Sequence, residues 1–136
     1  MNASVCTTGG DRMKFIIVDD ERDICELLAS MLALQYPDSE TEFFTNVPDA
    51  VTKLEDLQDP TDIIIFTDWR IKSHLGSEVI QAAQQAGVPP ERIVVMSGLD
   101  FSAAKELSGA QHLLKKPFHF QEEVVPLIEL IQSVRV

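Results

Sequence analysis

The sequence predicts an α/β domain built on one doubly wound, five-stranded parallel sheet with helices on both faces. Three observations carry that expectation. Short apolar runs alternate with stretches of helical periodicity along the whole chain. The run Ile63-Ile64-Ile65-Phe66 shows no polar alternation, as a strand covered on both faces requires. The chain has 136 residues, 45% of them hydrophobic, which suits a single core and is too apolar for disorder.

Residues 1–12 (MNASVCTTGGDR) are small and polar, and are expected to be a flexible tail ahead of a domain spanning 13–136. Lys14 to Val18 is the first strand. Ile24, Leu27, Leu28, Met31 and Leu32 then recur at helical spacing, which predicts an amphipathic helix ended by Tyr36-Pro37. Glu40 to Thr45 is the second strand, followed by a helix with Pro48 in its first turn and Val51, Leu54 and Leu57 on one face. Asp62 to Thr67 is the third strand. Ser77 to Ala86 follows as a helix closed by Gly87 and Pro89-Pro90. Arg92 to Met96 is the fourth strand, Asp100 to Ser108 a short helix stopped by Gly109, and Gln111 to Lys115 the fifth strand. A last helix runs from about Phe120 to Val134. Pro126 within it would cost about 3 kcal/mol in a helix interior, so that helix is expected to kink or to begin late.

Crossovers are expected to be right-handed, and in the flavodoxin-like order 2-1-3-4-5 expected for this sheet the ligand crevice lies at the carboxyl ends of strands one and three. Strand one ends in Asp19-Asp20 and strand three in Asp68, while Ser97 follows strand four and Lys116 follows strand five. Three carboxylates at neighbouring strand ends repel one another. A divalent cation relieves this, and carboxylate oxygens suit Mg²⁺, with Mn²⁺ as a substitute. With Lys116 added, the assembled charges cancel. Taken singly, each residue has an ordinary reading: Asp20 as a cap of the first helix, Asp68 as a turn residue, Ser97 as a loop hydroxyl, Lys116 as a surface charge. Their order and their strand-end positions set them apart.

The formal charge of −11, without a basic block, argues against a nucleic-acid backbone or an anionic membrane as partner. It favours metal cations or basic protein surfaces. No apolar run is long enough for a membrane span, and the first residues lack a signal-peptide pattern, so a cytoplasmic location is expected. Cys6 and Cys25 read as free thiols, and His74, His112 and His119 show no ligand spacing. Trp69, beside Asp68, is expected to be a partly exposed packing residue. Neither a Gly-x-Gly-x-x-Gly nor a P-loop is present.

Val18-Asp19-Asp20-Glu21, the strand Ile63 to Asp68, Gly76 eight residues beyond Asp68, Ser97-Gly98, Gly109-Ala110 and Lys116-Pro117-Phe118 occur in that order over about residues 13–134. This ordered set resembles the receiver domain of two-component response regulators. The resemblance implies that Asp68 is a phosphoacceptor and that Asp19, Asp20, Asp68 and the backbone carbonyl of Arg70 hold Mg²⁺. It further implies that Ser97 bonds a phosphoryl oxygen, that Lys116 pairs with the phosphorylated carboxylate, and that the Lys116-Pro117 bond is cis. The implied activity is a phosphorelay switch, which catalyses its own phosphorylation and dephosphorylation. Its partners would be a histidine kinase or histidine phosphotransfer protein upstream and a protein or output domain downstream, with no direct nucleic-acid binding. The alternative is a receiver-like protein-interaction module that takes no phosphate. A phosphatase of the haloacid-dehalogenase type is disfavoured, since its second Asp would fall at Arg70.

Three positions would modulate such a site: Arg70, Leu99 and Leu113. Ile71-Lys72 stands where the family has Met-Pro, which predicts a less rigid, more basic loop after Asp68, with Arg70 overhanging the site. Leu113 stands where Tyr or Phe is usual, which puts the familiar aromatic switch in doubt.

Overall fold

A computed structural model describes residues 13–71, 74–98 and 101–133. Five parallel strands, β1 (Lys14–Val18), β2 (Glu40–Phe44), β3 (Ile63–Asp68), β4 (Ile93–Ser97) and β5 (His112–Lys115), pair in the order β2-β1-β3-β4-β5. The expected topology is therefore the observed one. Registers bring Val18 opposite both Phe44 and Thr67, Asp68 opposite Met96, and Ser97 opposite Lys115, so all five strands end at one edge of the sheet.

Side-chain alternation divides the apolar residues between two cores. Phe15, Ile17, Ile64, Phe66, Val94 and Met96 face α1 (Arg22–Gln35) and α5 (Val125–Ser133), against Leu28, Leu32, Ile128 and Ile131. Ile16, Val18, Ile63, Ile65, Ile93 and Val95 face the other way. They meet α2 (Val47–Glu55), α3 (Ser77–Gln85) and α4 (Phe101–Leu107) through residues such as Leu54, Val79 and Ala104. Every side chain from Ile63 to Phe66 is at most 1% exposed, the physical reason that run carries no polar alternation.

Local signals act where they were expected. The Asn46 side chain caps α2 by accepting the Asp49 N–H at 2.8 Å, with Pro48 in the first turn. Gly87 ends α3 with φ +100°, a conformation that favours glycine. The last helix begins late. Phe120–Val124 forms one π-helical turn, the Val125 N–H bonds the Phe120 carbonyl, and Pro126 falls in the first turn of α5, just after that turn.

Two expectations are corrected after Asp68. Arg70–Ile71 is not an unpaired loop but forms a short antiparallel ladder with His74–Leu75. Trp69 is not partly exposed. At 3% exposure it packs with Ile71, Val79 and Ile80, because the ladder folds the chain back over the sheet edge and turns both apolar side chains inward. The tail 1–12, Leu99, Asp100 and residues 134–136 lie outside the described residues, as does Lys72.

Candidate functional site

Adjacent parallel strands lie close enough for carboxylates at their ends to meet. Asp19 and Asp20 follow β1 and Asp68 ends β3, and one carboxylate oxygen from each lies within 4.8 Å of the others. Asp19 is fully buried and held at every polar atom. Its N–H donates to the Phe44 carbonyl at 3.1 Å, Oδ1 accepts the Glu21 N–H at 2.9 Å, and Oδ2 accepts from Lys116 Nζ at 2.6 Å. Its carbonyl oxygen accepts from the Cys25 thiol at 3.2 Å. The cap position of α1 is Glu21, so capping is not the role of Asp20.

Lys116 reaches this cluster from the end of β5. Its N–H donates to the Ser97 carbonyl at 2.7 Å, and its ammonium also stands 3.3 Å from Asp68 Oδ2. The Lys116-Pro117 bond is cis. Ser97 closes β4 beside the Asp68 strand and is 1% exposed. Trp69 is anchored through its N–H to the Met96 carbonyl at 2.8 Å. Gly76 donates its N–H to the Trp69 carbonyl at 2.6 Å, and a Cβ there would run into the Asp68 carbonyl oxygen. Glycine is therefore the residue this return of the chain requires.

Of the positions expected to modulate the site, Arg70 is exposed and pairs with Leu75 in the short ladder. Leu113 is half-buried against the core on the α2–α3 side. The Cys25 donor and the Glu21 N–H were not anticipated. Their only signal was that Cys25 lies within the first helical turns after Asp19.

Burial pushes the Asp68 carboxyl up to about 6, helped by the neighbouring Asp19 charge and opposed by Lys116. For Lys116, burial acts against the charged form, but the hydrogen bond and charge of Asp19, and then Asp68, outweigh it and raise the ammonium above its ordinary value. The site thus holds a firm cation. Burial and then the Asp19 charge push the Cys25 thiol up to about 12, so it stays protonated and serves as a donor. The donor set fits a divalent cation: three hard carboxylate oxygens with one ammonium leave two negative charges to be balanced.

A cleft of about 860 Å³ opens beside the site. Ile24, Leu27, Leu28 and Met31 of α1 form one wall, and Phe101 and Phe118 lie across from them. Among the described residues, no helix is long and apolar enough to cross a membrane.

No protein-family model and no curated protein matches this sequence. Solved structures do. The chain superposes on a response regulator receiver protein from Sinorhizobium medicae with TM-score 0.75 at 19% identity, covering 93% of this chain and 98% of that one. A Pseudomonas aeruginosa sensor histidine kinase receiver domain, with a magnesium ion coordinated in its active site cleft, matches with TM-score 0.70 at 17% identity, over 90% and 99% of the two chains. NtrX from Brucella abortus matches with TM-score 0.72 at 21% identity, where 90% of this chain covers 27% of that one. The fold is the flavodoxin-like fold of receiver domains.

Proposed function

We propose that this chain is a phosphoacceptor receiver module of two-component signalling, spanning residues 13–136, in which Asp68 takes a phosphoryl group from a phosphohistidine partner. The observation that supports it most is the meeting of Asp68, Asp19 and Asp20 with one lysine at the strand ends, with the Lys116 ammonium touching both Asp19 and Asp68. With its carboxyl near 6, Asp68 is mostly ionised at neutral pH and is a competent nucleophile. A carboxylate oxygen of Asp68 bonds to phosphorus while the P–N bond to the partner's imidazole breaks, and the imidazole leaves with that electron pair. Lys116 offsets charge on the transferring group, and Ser97 offers its hydroxyl to a phosphoryl oxygen. A divalent cation, Mg²⁺ or in its place Mn²⁺, held by Asp19, Asp20, Asp68 and the Arg70 carbonyl, would supply further charge neutralisation.

The aspartyl phosphate adds charge and acceptors that draw Ser97 toward them, and the surface near β4 and β5 carries the change onward. Leu113, half-buried in β5, replaces an aromatic side chain in that relay. The partners on this reading are a histidine kinase or phosphotransfer protein, and a downstream protein or output domain, in the cytoplasm. A second reading, a protein-interaction module that takes no phosphate, is favoured by the apolar cleft beside the site, whose size and lining suit an apolar binding partner.

Intact-mass measurement after incubation with Mg²⁺ and acetyl phosphate separates the two, with Asp68→Asn as control. A single phosphoryl adduct, lost in the control, is the expected result. No adduct from several donors, despite measurable Mg²⁺ binding, would sink the first reading in favour of the second.

A further inference from the structure

The cleft of about 860 Å³ beside the strand ends is walled by apolar side chains that the fold leaves partly open to water. On α1, Ile24, Leu27 and Met31 stand at i, i+3 and i+7, so they run along one side of the helix. Phe101, the first residue of α4, and Phe118, just after the cis Lys116-Pro117 bond, lie across from them. Leu27 keeps 59% of its surface exposed, and the other four are only partly buried. Scattered exposed leucines need no explanation, but apolar area gathered in one concavity marks a binding site. The volume falls within the range of small-molecule pockets, about 300–1,000 Å³.

The charges of the cleft indicate the kind of molecule. The chain has a formal charge of −11, yet among the residues lining the cleft Glu21 is the one acid, against Lys115 and Lys116. Lys116 is taken up by Asp19 and Asp68. Lys115 is not: its ammonium stands 5.8 Å from the centroid of the Phe101 ring, and it forms no ion pair among the described residues. A cation free to pair at the edge of an apolar cleft suits an anionic group attached to an apolar body. The wall from Ile24 to Met31 extends about 10 Å along the helix axis, room for an alkyl chain of about eight to ten carbons.

We infer that the cleft is a site for a free alkyl carboxylate of medium chain length, its chain laid between α1 and the two phenylalanines and its carboxylate paired with Lys115. The inference goes beyond the phosphoacceptor reading and holds whether or not Asp68 takes phosphate. A helix of a protein partner is the competing occupant of the same walls, and it makes no demand for a free carboxylate at Lys115.

Two leucines of α1 provide the contrast needed for a test. Leu27 lines the cleft, whereas Leu34, at 82% exposure, does not. Both protrude into water, so Leu27→Asp and Leu34→Asp leave the core intact. Wild type, these two variants and Lys115→Met are titrated with sodium octanoate, nonanoate and decanoate below their micelle concentrations, and with 1-octanol. Binding is followed by amide ¹H–¹⁵N chemical shifts. In the wild type the shifts are expected to cluster around α1, the start of α4 and the segment after β5, with affinity rising about two- to fourfold per added methylene. Leu27→Asp is expected to bind decanoate at least about tenfold more weakly, and Leu34→Asp within about twofold of wild type. Lys115→Met should weaken octanoate about three- to tenfold and leave 1-octanol, which has the same chain without the charge, unchanged. No binding, shifts spread over the whole chain, or equal losses in the two aspartate variants would overturn the site. An octanoate affinity unchanged in Lys115→Met, or a matching loss of 1-octanol, would overturn the carboxylate as its ligand.

Discussion

Asp68→Asn is expected to make the metal-free protein more stable, although it removes the residue on which the proposed chemistry depends. The carboxyl titrates near 6 when folded, against an ordinary value of 3.8, because burial and the Asp19 charge disfavour its ionised form more than Lys116 favours it. A carboxyl raised in this way binds its proton more tightly in the folded state, so the stability it confers falls as pH rises from about 4 through 6. Once ionised at pH 8, such a group costs the fold about 3 kcal/mol, and at pH 5 about half of that. The side chain is 13% exposed, so little of this is screened away. Asparagine has nearly the same shape and no charge, and Lys116 keeps its 2.6 Å contact with Asp19. Urea unfolding in chelator is the assay: the variant gains about 2–3 kcal/mol at pH 8 and clearly less at pH 5. Saturating Mg²⁺ narrows the gap by stabilising the wild type through its third carboxylate. A variant less stable than wild type at pH 8, or a gain identical at both pH values, would refute the electrostatic reasoning.

Gly76→Ala places a Cβ against the Asp68 carbonyl oxygen and should destabilise the fold by about 1–3 kcal/mol in thermal unfolding, with the phosphoryl adduct reduced in the same variant. Arg92 donates through Nε to the Ile63 carbonyl at 2.9 Å and through a terminal nitrogen to Gln132 Oε1 at 2.8 Å, so Arg92→Met should cost about 2–3 kcal/mol in denaturant titration. Cys25, fully buried with its thiol pushed up to about 12, should resist thiol reagents at neutral pH in a Cys6→Ser background, and its labelling rate should follow global unfolding when urea is added. Asn46→Ala removes the α2 cap and should cost about 1 kcal/mol, read as a lowered urea midpoint with an unchanged slope.

Much of the architecture was legible because it depends on local pattern. The unbroken Ile63 to Phe66 run could be read as a strand covered on both faces, and the helical spacing of Ile24, Leu28 and Leu32 as one face of a helix. Pro126 announced that the last helix would kink or begin late, because a residue without an N–H is costly in a regular helix interior, and the α-helix does begin only at Val125, after a π-helical turn. Strand-end positions likewise brought Asp19, Asp20, Asp68, Ser97 and Lys116 toward one edge, because parallel pairing places successive carboxyl ends side by side.

Trp69 and the segment after it were misjudged for a reason of the same kind. Two residues of antiparallel pairing between Arg70–Ile71 and His74–Leu75 are too short to leave a periodic signal, yet they turn Trp69 and Ile71 inward. Periodicity and chain connectivity suffice for the order of elements, and the residues that close the strands suffice for the set of charges gathered at the sheet edge. The tertiary structure alone decided how those charges are shared. Whether Lys116 bonds Asp19 or Asp68, how far burial lifts the Asp68 carboxyl, and that a thiol and a backbone N–H hold Asp19 in place depend on distances between residues far apart in the chain. Electrostatic and hydrogen-bond energies vary steeply over fractions of an ångström in a buried site, and no residue spacing encodes them.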